Sequence, residues 1–404
     1  MSVARVGAAA GSTARRGDAR VLHVSVVHRA DDPRIFEREC RSLRDAGYDV
    51  TYAVPGPVPG PVQHGVKLVA LPQRPRSLRW SQAAPVLNLV RRLRPDVVHV
   101  HDPELLAYLP AAKRLGARVV YDMHEYVSLT IGHKYYVPKP LRPHAQRAVA
   151  AAQQSLAAQC DGLVAVVDDQ FELLGPSPEL RVALPNYPRY SRFVDAQPIP
   201  ELAADPRLKL VYIGSLTRPR GMEVMLDVME RLAAENAGAT EAAPARDAVL
   251  YLGGNFYNRE FEAEVRGRLA RPELAGSVRL LGRIPPDDVP AYLASADVVW
   301  IAPTSGGQLE RRLVPTKLYE GMAVGLAALV SNLPGRGDVV LGEQCGLAVE
   351  PGVEGHLQGV HRLLWNRPEV PQMGARGRQA VRARYSWEII EKDLLAFYER
   401  LLAQ

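Results

Sequence analysis

Short apolar runs rich in β-branched residues alternate with longer helical patterns along most of the chain. In the first half the runs are residues 21–27, 50–54, 66–70, 97–100, 118–121, 163–167 and 182–184. Such runs, with helices between them, predict parallel strands in α/β layers. Residues 36–46 place Phe36, Cys40 and Leu43 on one helical face and stop at Gly47, a fitting C-cap. Residues 83–93 stop before Pro95, and residues 141–159 are long, Ala-rich and helix-prone. A stretch holding Pro188, Pro198, Pro200 and Pro206 then breaks the pattern and predicts an interdomain linker. Beyond it the alternation restarts, with runs at 208–213, 249–252, 278–281, 298–302 and 327–331. Residues 238–247 are small and polar and read as a surface loop. Trp387, Ile390, Leu394, Phe397 and Leu401 line one face of a final amphipathic helix. The pattern predicts a tail over 1–19, one α/β domain over 20–190, a linker over 191–206, a second α/β domain over 207–384 and a closing helix over 385–404. Ligands of such domains bind outside the carboxyl ends of the strands.

Composition narrows this picture. A chain of 404 residues exceeds one ordinary core, and 47% apolar with 23% charged residues is a globular balance. No apolar run approaches the ~20 residues that span a bilayer. The Ala/Gly/Ser/Arg-rich start lacks the apolar centre of a secretory signal. Cys40, Cys160 and Cys345 are sparse and far apart, which suits a reducing cytoplasm and offers no metal-ligand spacing. The net charge of +6 comes from dispersed arginines, without a nucleic-acid-binding motif, so no nucleic-acid partner is expected. Residues 74–80 (Arg-Pro-Arg-Ser-Leu-Arg-Trp) are the densest basic patch with an aromatic. They read as a solvated loop, or alternatively as a contact with phospholipid at the inner membrane face or with an anionic acceptor.

The segment from Val298 to Ser331 carries the most chemistry. A buried strand runs into a loop with Gly306 and Gly307, and then Pro315 and Thr316 open a helix that Gly325 ends. A helix N-terminus offers free N–H groups and partial positive charge, which suits a diphosphate. Lys317 in the first turn opposes the helix dipole, so anion binding explains it better than helix stability does. Glu320, one turn on, can accept two hydroxyl hydrogen bonds from a ribose. A plain surface helix fits the periodicity equally. A second strand–glycine–cation segment is Gly214-Ser215-Leu216-Thr217-Arg218-Pro219-Arg220-Gly221, where guanidinium groups suit phosphate. Gly282 and Arg283 follow a further strand.

In the first half His101, Asp102 and Glu104 follow one strand, and Asp122, His124 and Glu125 follow another. Their spacing is not that of a zinc enzyme. His28 to Phe36 follow the first strand and include Asp31-Asp32-Pro33-Arg34-Ile35-Phe36, with Phe36 suited to the core.

Residues 315–325, with the strand after them, resemble the donor-site helix of retaining family-4 glycosyltransferases of the GT-B fold. The resemblance runs from Val21 to the C-terminus, and residues 31–36 match the branch whose first loop reads Asp-Asp-Pro-Arg-Ile-Phe. It implies two Rossmann-like domains with a deep cleft between them and a closing helix that crosses back onto the first. It implies a hexosyl-type transferase moving a sugar from a nucleoside diphosphate sugar to an acceptor hydroxyl, with retention, in glycan, glycolipid or secondary-metabolite synthesis, without a cofactor or required metal. Glu320 then holds the ribose. Gly214, Arg218, Arg220, Thr316, Lys317 and Leu318 surround the diphosphate, and Gly282 and Arg283 lie against the base. His124 sits near the transferred sugar and, with Arg220 and Lys317, forms the catalytic set. Asp32, Arg34, His101 and Glu104 shape the acceptor side, and His99 points into the sheet. The chain departs from the pattern where many relatives carry a second glutamate: that position is Arg312, with Glu310 two residues away, and Ser215 replaces a basic residue. These departures keep a silent nucleotide-sugar-binding partner as the rival reading, beside a sugar-nucleotide epimerase. An NAD-binding oxidoreductase is disfavoured, because no Gly-x-Gly-x-x-Gly follows the first strand.

Overall fold

A computed structural model describes residues 19–126, 138–237, 247–274, 276–304 and 313–404. The chain divides into two compact units, Met1–Pro185 with Glu391–Gln404, and Asn186–Ile390. Most of the expected tail, most of the 238–247 loop, and the segment holding Gly306, Gly307, Glu310 and Arg312 lie outside the described residues.

The first unit is built on the strands β1 (Arg20–Val24), β2 (Asp49–Pro55), β3 (Val62–Gln63), β4 (Val66–Leu71), β5 (Val97–Val100), β6 (Arg118–Met123), β7 (Gly162–Ala165) and β8 (Arg181–Ala183). Their order is β3-β4-β2-β1-β5-β6-β7-β8, parallel except for β3 against β4. The second unit has β9 (Leu208–Ile213), β10 (Ala248–Gly253), β11 (Val278–Gly282), β12 (Val298–Ile301), β13 (Ala327–Ser331) and β14 (Gly346–Val349), all pairing in parallel in the order β11-β10-β9-β12-β13-β14. Strand order reverses between β1 and β5 in one sheet and between β9 and β12 in the other, the two places where an open parallel sheet leaves a crevice.

Several elements stop short of their apolar runs because side chains take over the backbone bonds. The first run extends to Val27, but β1 ends at Val24. Asp102 accepts from the Val26 N–H (2.6 Å), and Ser25 Oγ accepts from Val27 and His28 (3.1 and 2.8 Å). β7 likewise ends at Ala165, where Gln170 Oε1 accepts from Val166 and Val167. The expected helix over 36–46 is two pieces: a widened, π-type segment Ile35–Cys40, then a regular helix Arg41–Asp45. The wide turn, with Glu39 N donating to Arg34 O at 3.1 Å, lets both Arg34 and Glu39 face inward. β3 and β14 are additional strands.

The proline-rich stretch packs on the second sheet. Phe193 is buried there beside Val211 and Tyr251, and Ile199 N donates to Ser295 Oγ at 2.8 Å. The last helix spans Trp387–Leu402. Its residues from Glu391 onward cluster with the first unit, where Phe397 fills the space above Gly162.

Candidate functional site

In the second unit the chain leaves β9 through Gly214 (φ +153°) and turns through Arg218–Arg220 into Gly221 (φ +83°). A Cβ on Gly221 would lie 1.9 Å from the Ala302 carbonyl oxygen, so only glycine lets this loop rest on the end of β12. A Cβ on Gly214 would lie 2.0 Å from Lys317 Cε, so the lysine side chain is laid directly across Gly214. Its ammonium sits 5.8 Å from the centre of the Tyr212 ring. The helix Thr316–Val324 opens at Pro315 without a side-chain cap and closes at Gly325 (φ +93°). Leu318 is fully buried, Thr316 is half-buried, and Gly321 packs against Val299 of β12, which seats the helix start beside the β9 loop.

Burial, and then the nearby Arg220 guanidinium, push the Lys317 ammonium down to about 8, while Glu320 pulls the other way. Arg336 begins the helix Arg336–Gly342 just after β13 and is 1% exposed. Burial, and then Arg220, press it down to about 10. Arg220 therefore lies near both Lys317 and Arg336, and cations gathered near a helix start suit a polyanion. The sequence reading missed Arg336, whose only local signal was a glycine turn after a buried strand.

The other expected donor-side residues are placed as follows. Gly282 ends β11 at φ +70°, and its carbonyl accepts from Gly254 N at 2.7 Å. Arg283 beyond it is exposed, and Ile284 covers Gly253. Arg218 is engaged by carboxylates: its Nε donates to Glu223 at 2.8 Å and its Nη2 to Glu264, with the guanidinium 4.4 Å from the Phe261 ring centre.

In the first unit the ends of β1, β5 and β6 bring together a buried polar cluster. Asp122 and His101 are buried, and His124 lies at the edge. Arg34 grips Asp122 with two hydrogen bonds (Nε to Oδ2 3.0 Å, Nη2 to Oδ1 2.9 Å), and its third nitrogen donates to Leu184 O at 2.7 Å. Burial works against the Asp122 charge, but Arg34 and then His124 hold its carboxyl well below the usual range. His124 Nε2 lies 2.7 Å from Asp122 Oδ2, and His101 Nδ1 lies 3.3 Å from the same oxygen. Glu39 is fully buried 3.2 Å from Arg34. Burial and the Asp122 charge raise its carboxyl well above the usual range, against the pull of Arg34.

At the exposed side of this cluster His28 lies edge-on to His124 (5.0 Å between ring centres). Burial opposes its charge, but the hydrogen bond to Asp32 (2.8 Å) and the charges of Asp32 and Asp102 raise it to about 9. Asp32 also accepts from the Arg34 and Ile35 N–H groups at 2.9 Å each. Glu104 stands apart from this bonding, 3.8 Å from Arg79 of the basic segment. His99 is fully buried in the sheet, packed between His23 and His101. Two sets of residues could hold a metal ion by proximity, namely His23, Glu39, His99 and His101, and His101, Asp122 and His124. Most of the same ring nitrogens are already used in hydrogen bonds to one another, to Tyr398 and to Asp122.

Known proteins give this geometry a context. Residues 33–174 match the family described as Glycosyltransferase Family 4, and residues 207–366 match Glycosyl transferases group 1. The chain is 24% identical to a glycogen synthase of Mycobacterium tuberculosis over 390 aligned residues, covering 86% of each chain. It is 25% identical to that organism's GDP-mannose-dependent alpha-(1-6)-phosphatidylinositol monomannoside mannosyltransferase over 194 residues, 47% of each. Among solved structures, sucrose-phosphate synthase from Thermosynechococcus elongatus superposes with a TM-score of 0.73 at 15% identity, covering 95% of this chain and 99% of that one. Anabaena HepE in complex with UDP and glucose gives 0.71 at 13%, covering 95% and 100%. Two parallel-sheet units of this kind, with one glycosyltransferase match on each, mean that the chain belongs to the glycosyltransferases of the GT-B fold.

Proposed function

We propose that the chain transfers a sugar from a nucleoside diphosphate sugar to an acceptor hydroxyl with retention of configuration. The second unit holds the donor and the first unit the acceptor. The observation that carries this reading is Lys317 laid across Gly214 beside Arg220, at an uncapped helix start. Lys317, Arg220 and the first-turn amides at Thr316 and Leu318 stabilise the negative charge that grows on the leaving diphosphate. Such fixed charges are the largest catalytic contribution in many enzymes. HepE bound to UDP and glucose, and a mannosyltransferase named for GDP-mannose, support a nucleotide-sugar donor. In a same-face transfer a donor phosphate oxygen accepts the acceptor proton, so no protein nucleophile and no resident cofactor are needed. In the first unit Asp32, Asp102 and His124 offer acceptor groups suited to sugar hydroxyls. The exposed Leu78 and Trp80 beside Arg74 and Arg79 suit a lipid-linked acceptor at a membrane face.

Two results test the donor side. Glu320→Ala is expected to weaken nucleoside diphosphate binding by roughly tenfold, the loss of a charged hydrogen bond to the ribose. An unchanged Kd by calorimetry removes that role. Lys317 is protonated below about pH 8 in the free protein, so diphosphate affinity is expected to fall as pH rises through that value. The fall should vanish in Lys317→Met. If both proteins show one pH profile, Lys317 does not face the phosphates.

A further inference from the structure

We propose that Tyr398, on the C-terminal helix, is a positioning residue for His124, acting through a single directed chain of buried hydrogen bonds. The kinetic part of this proposal rests on the reading of His124 as a residue near the transferred sugar.

The chain is continuous. His99 Nδ1 lies 2.7 Å from the Tyr398 hydroxyl, which lies 3.3 Å from His23 Nε2. His23 Nδ1 lies 2.9 Å from His101 Nε2. His124 Nε2 lies 2.7 Å from Asp122 Oδ2, and His101 Nδ1 lies between the two, 3.1 Å from His124 Nε2 and 3.3 Å from the same Asp122 oxygen. His23, His99, His101 and Tyr398 are buried, so the protein alone decides where the protons sit.

Two directions make these contacts and also give the Tyr398 hydroxyl proton an acceptor, and they differ at the ends. In the first, His99 Nδ1–H donates to Tyr398, Tyr398 O–H to His23 Nε2, His23 Nδ1–H to His101 Nε2, and His101 Nδ1–H to Asp122. The ionised Asp122 then receives two imidazole donors and the two guanidinium bonds of Arg34. The leftover group is a lone pair on His99 Nε2, an atom without a hydrogen-bond partner among the described residues. In the reverse direction that atom becomes a buried N–H without an acceptor. His101 Nδ1 becomes a lone pair 3.1 Å from His124 Nε2 and competes with Asp122 for its proton. A buried orphan donor is rarer and costlier than an orphan acceptor, and a carboxylate gains from each added donor. The first direction therefore holds. It leaves Asp122 as the sole acceptor of the His124 proton, which fixes the ring and leaves its Nδ1 as an acceptor. Tyr398 couples the two ends, because its hydroxyl accepts from His99 as it donates to His23, so the orphan at His99 and the carboxylate of Asp122 bear on one direction.

The test is imidazole NMR on protein labelled with nitrogen-15 at histidine, alongside steady-state kinetics. In the native chain His23, His99 and His101 are expected to carry their proton on Nδ1 and His124 on Nε2. Tyr398→Phe is expected to give mixed tautomers at His23 and His101. Turnover should fall roughly tenfold, with donor KM within about twofold, as for misplacement of a reacting group. Phe397→Leu loosens the same helix at Gly162 without touching the chain, and should lower Tm while keeping the His101 tautomer and turnover. A native His101 protonated on Nε2 overturns the proposal. So does a folded Tyr398→Phe protein with unchanged His101 and His124 signals and full turnover. A fully active His124→Ala protein overturns instead the reading of His124 on which the kinetic part stands, and the tautomers then report separately on the chain.

Discussion

Lys317→Ala is expected to lower turnover by about a hundredfold, in line with the loss of one fixed charge at a leaving group. Its melting temperature should stay the same or rise slightly. Lys317 is pressed down to about 8 from an ordinary value of 10.5, so below about pH 8 its charge opposes folding, and the penalty is relieved as pH rises from 8 towards 10.5. Its Cε already rests on Gly214, and Arg220 repels it. A residue that costs stability where it stands is explained by a ligand that reverses the penalty, and a diphosphate does so. Transfer measured with any active donor–acceptor pair, together with a melting curve, decides the matter. Normal turnover with normal stability would leave the lysine without a role.

Asp122→Ala is expected to destabilise the first unit by about 3–5 kcal/mol, the cost of leaving a buried cation without its partner. Arg34 is 6% exposed, and two of its hydrogen bonds end on this carboxylate. His101 and His124 lose their common acceptor in the same step. Removing the exposed Arg218–Glu223 pair should leave the unfolding midpoint close to that of the native chain, because water screens both charges. Urea unfolding of the two variants side by side checks the contrast. An Asp122→Ala protein as stable as the native chain would mean that Arg34 finds water or another acceptor, and the cluster would not be the closed network described above.

The same contrast explains how much was legible in the sequence. β9 and β13 fall on their apolar runs to the residue, and the helix Ala83–Leu93 matches as well, because proline, glycine or a charged turn bounds each of them. β14 escaped because it is short and only partly buried. The ends of β1 and β7 were hidden because Asp102, Ser25 and Gln170 replace ladder bonds with side-chain bonds, which apolar periodicity does not register. The same limit applies to the sites. Lys317, Arg220 and His124 stand at strand ends and helix starts, where local pattern points. Asp122 sits inside a strand, and its partner Arg34 is 88 residues away. Tyr398 is 299 residues from His99 and occupies an ordinary apolar position of its helix. Arg34 was read as shaping the acceptor side, and its bonds to Asp122 and Leu184 were not legible in its local pattern.

Gly221 resting on the Ala302 carbonyl, and Gly254 on that of Gly214, join three strand-end loops of the second unit backbone to backbone. Main chain in contact with main chain cannot slide the way side chains re-pack. Arg220 and Lys317 are thereby carried on a frame as stiff as the sheet beneath it. An incoming anion meets charges already held in position, so little ordering entropy is lost on capture. Swapping the loops of this face one at a time should therefore fail where exchanging all three together succeeds.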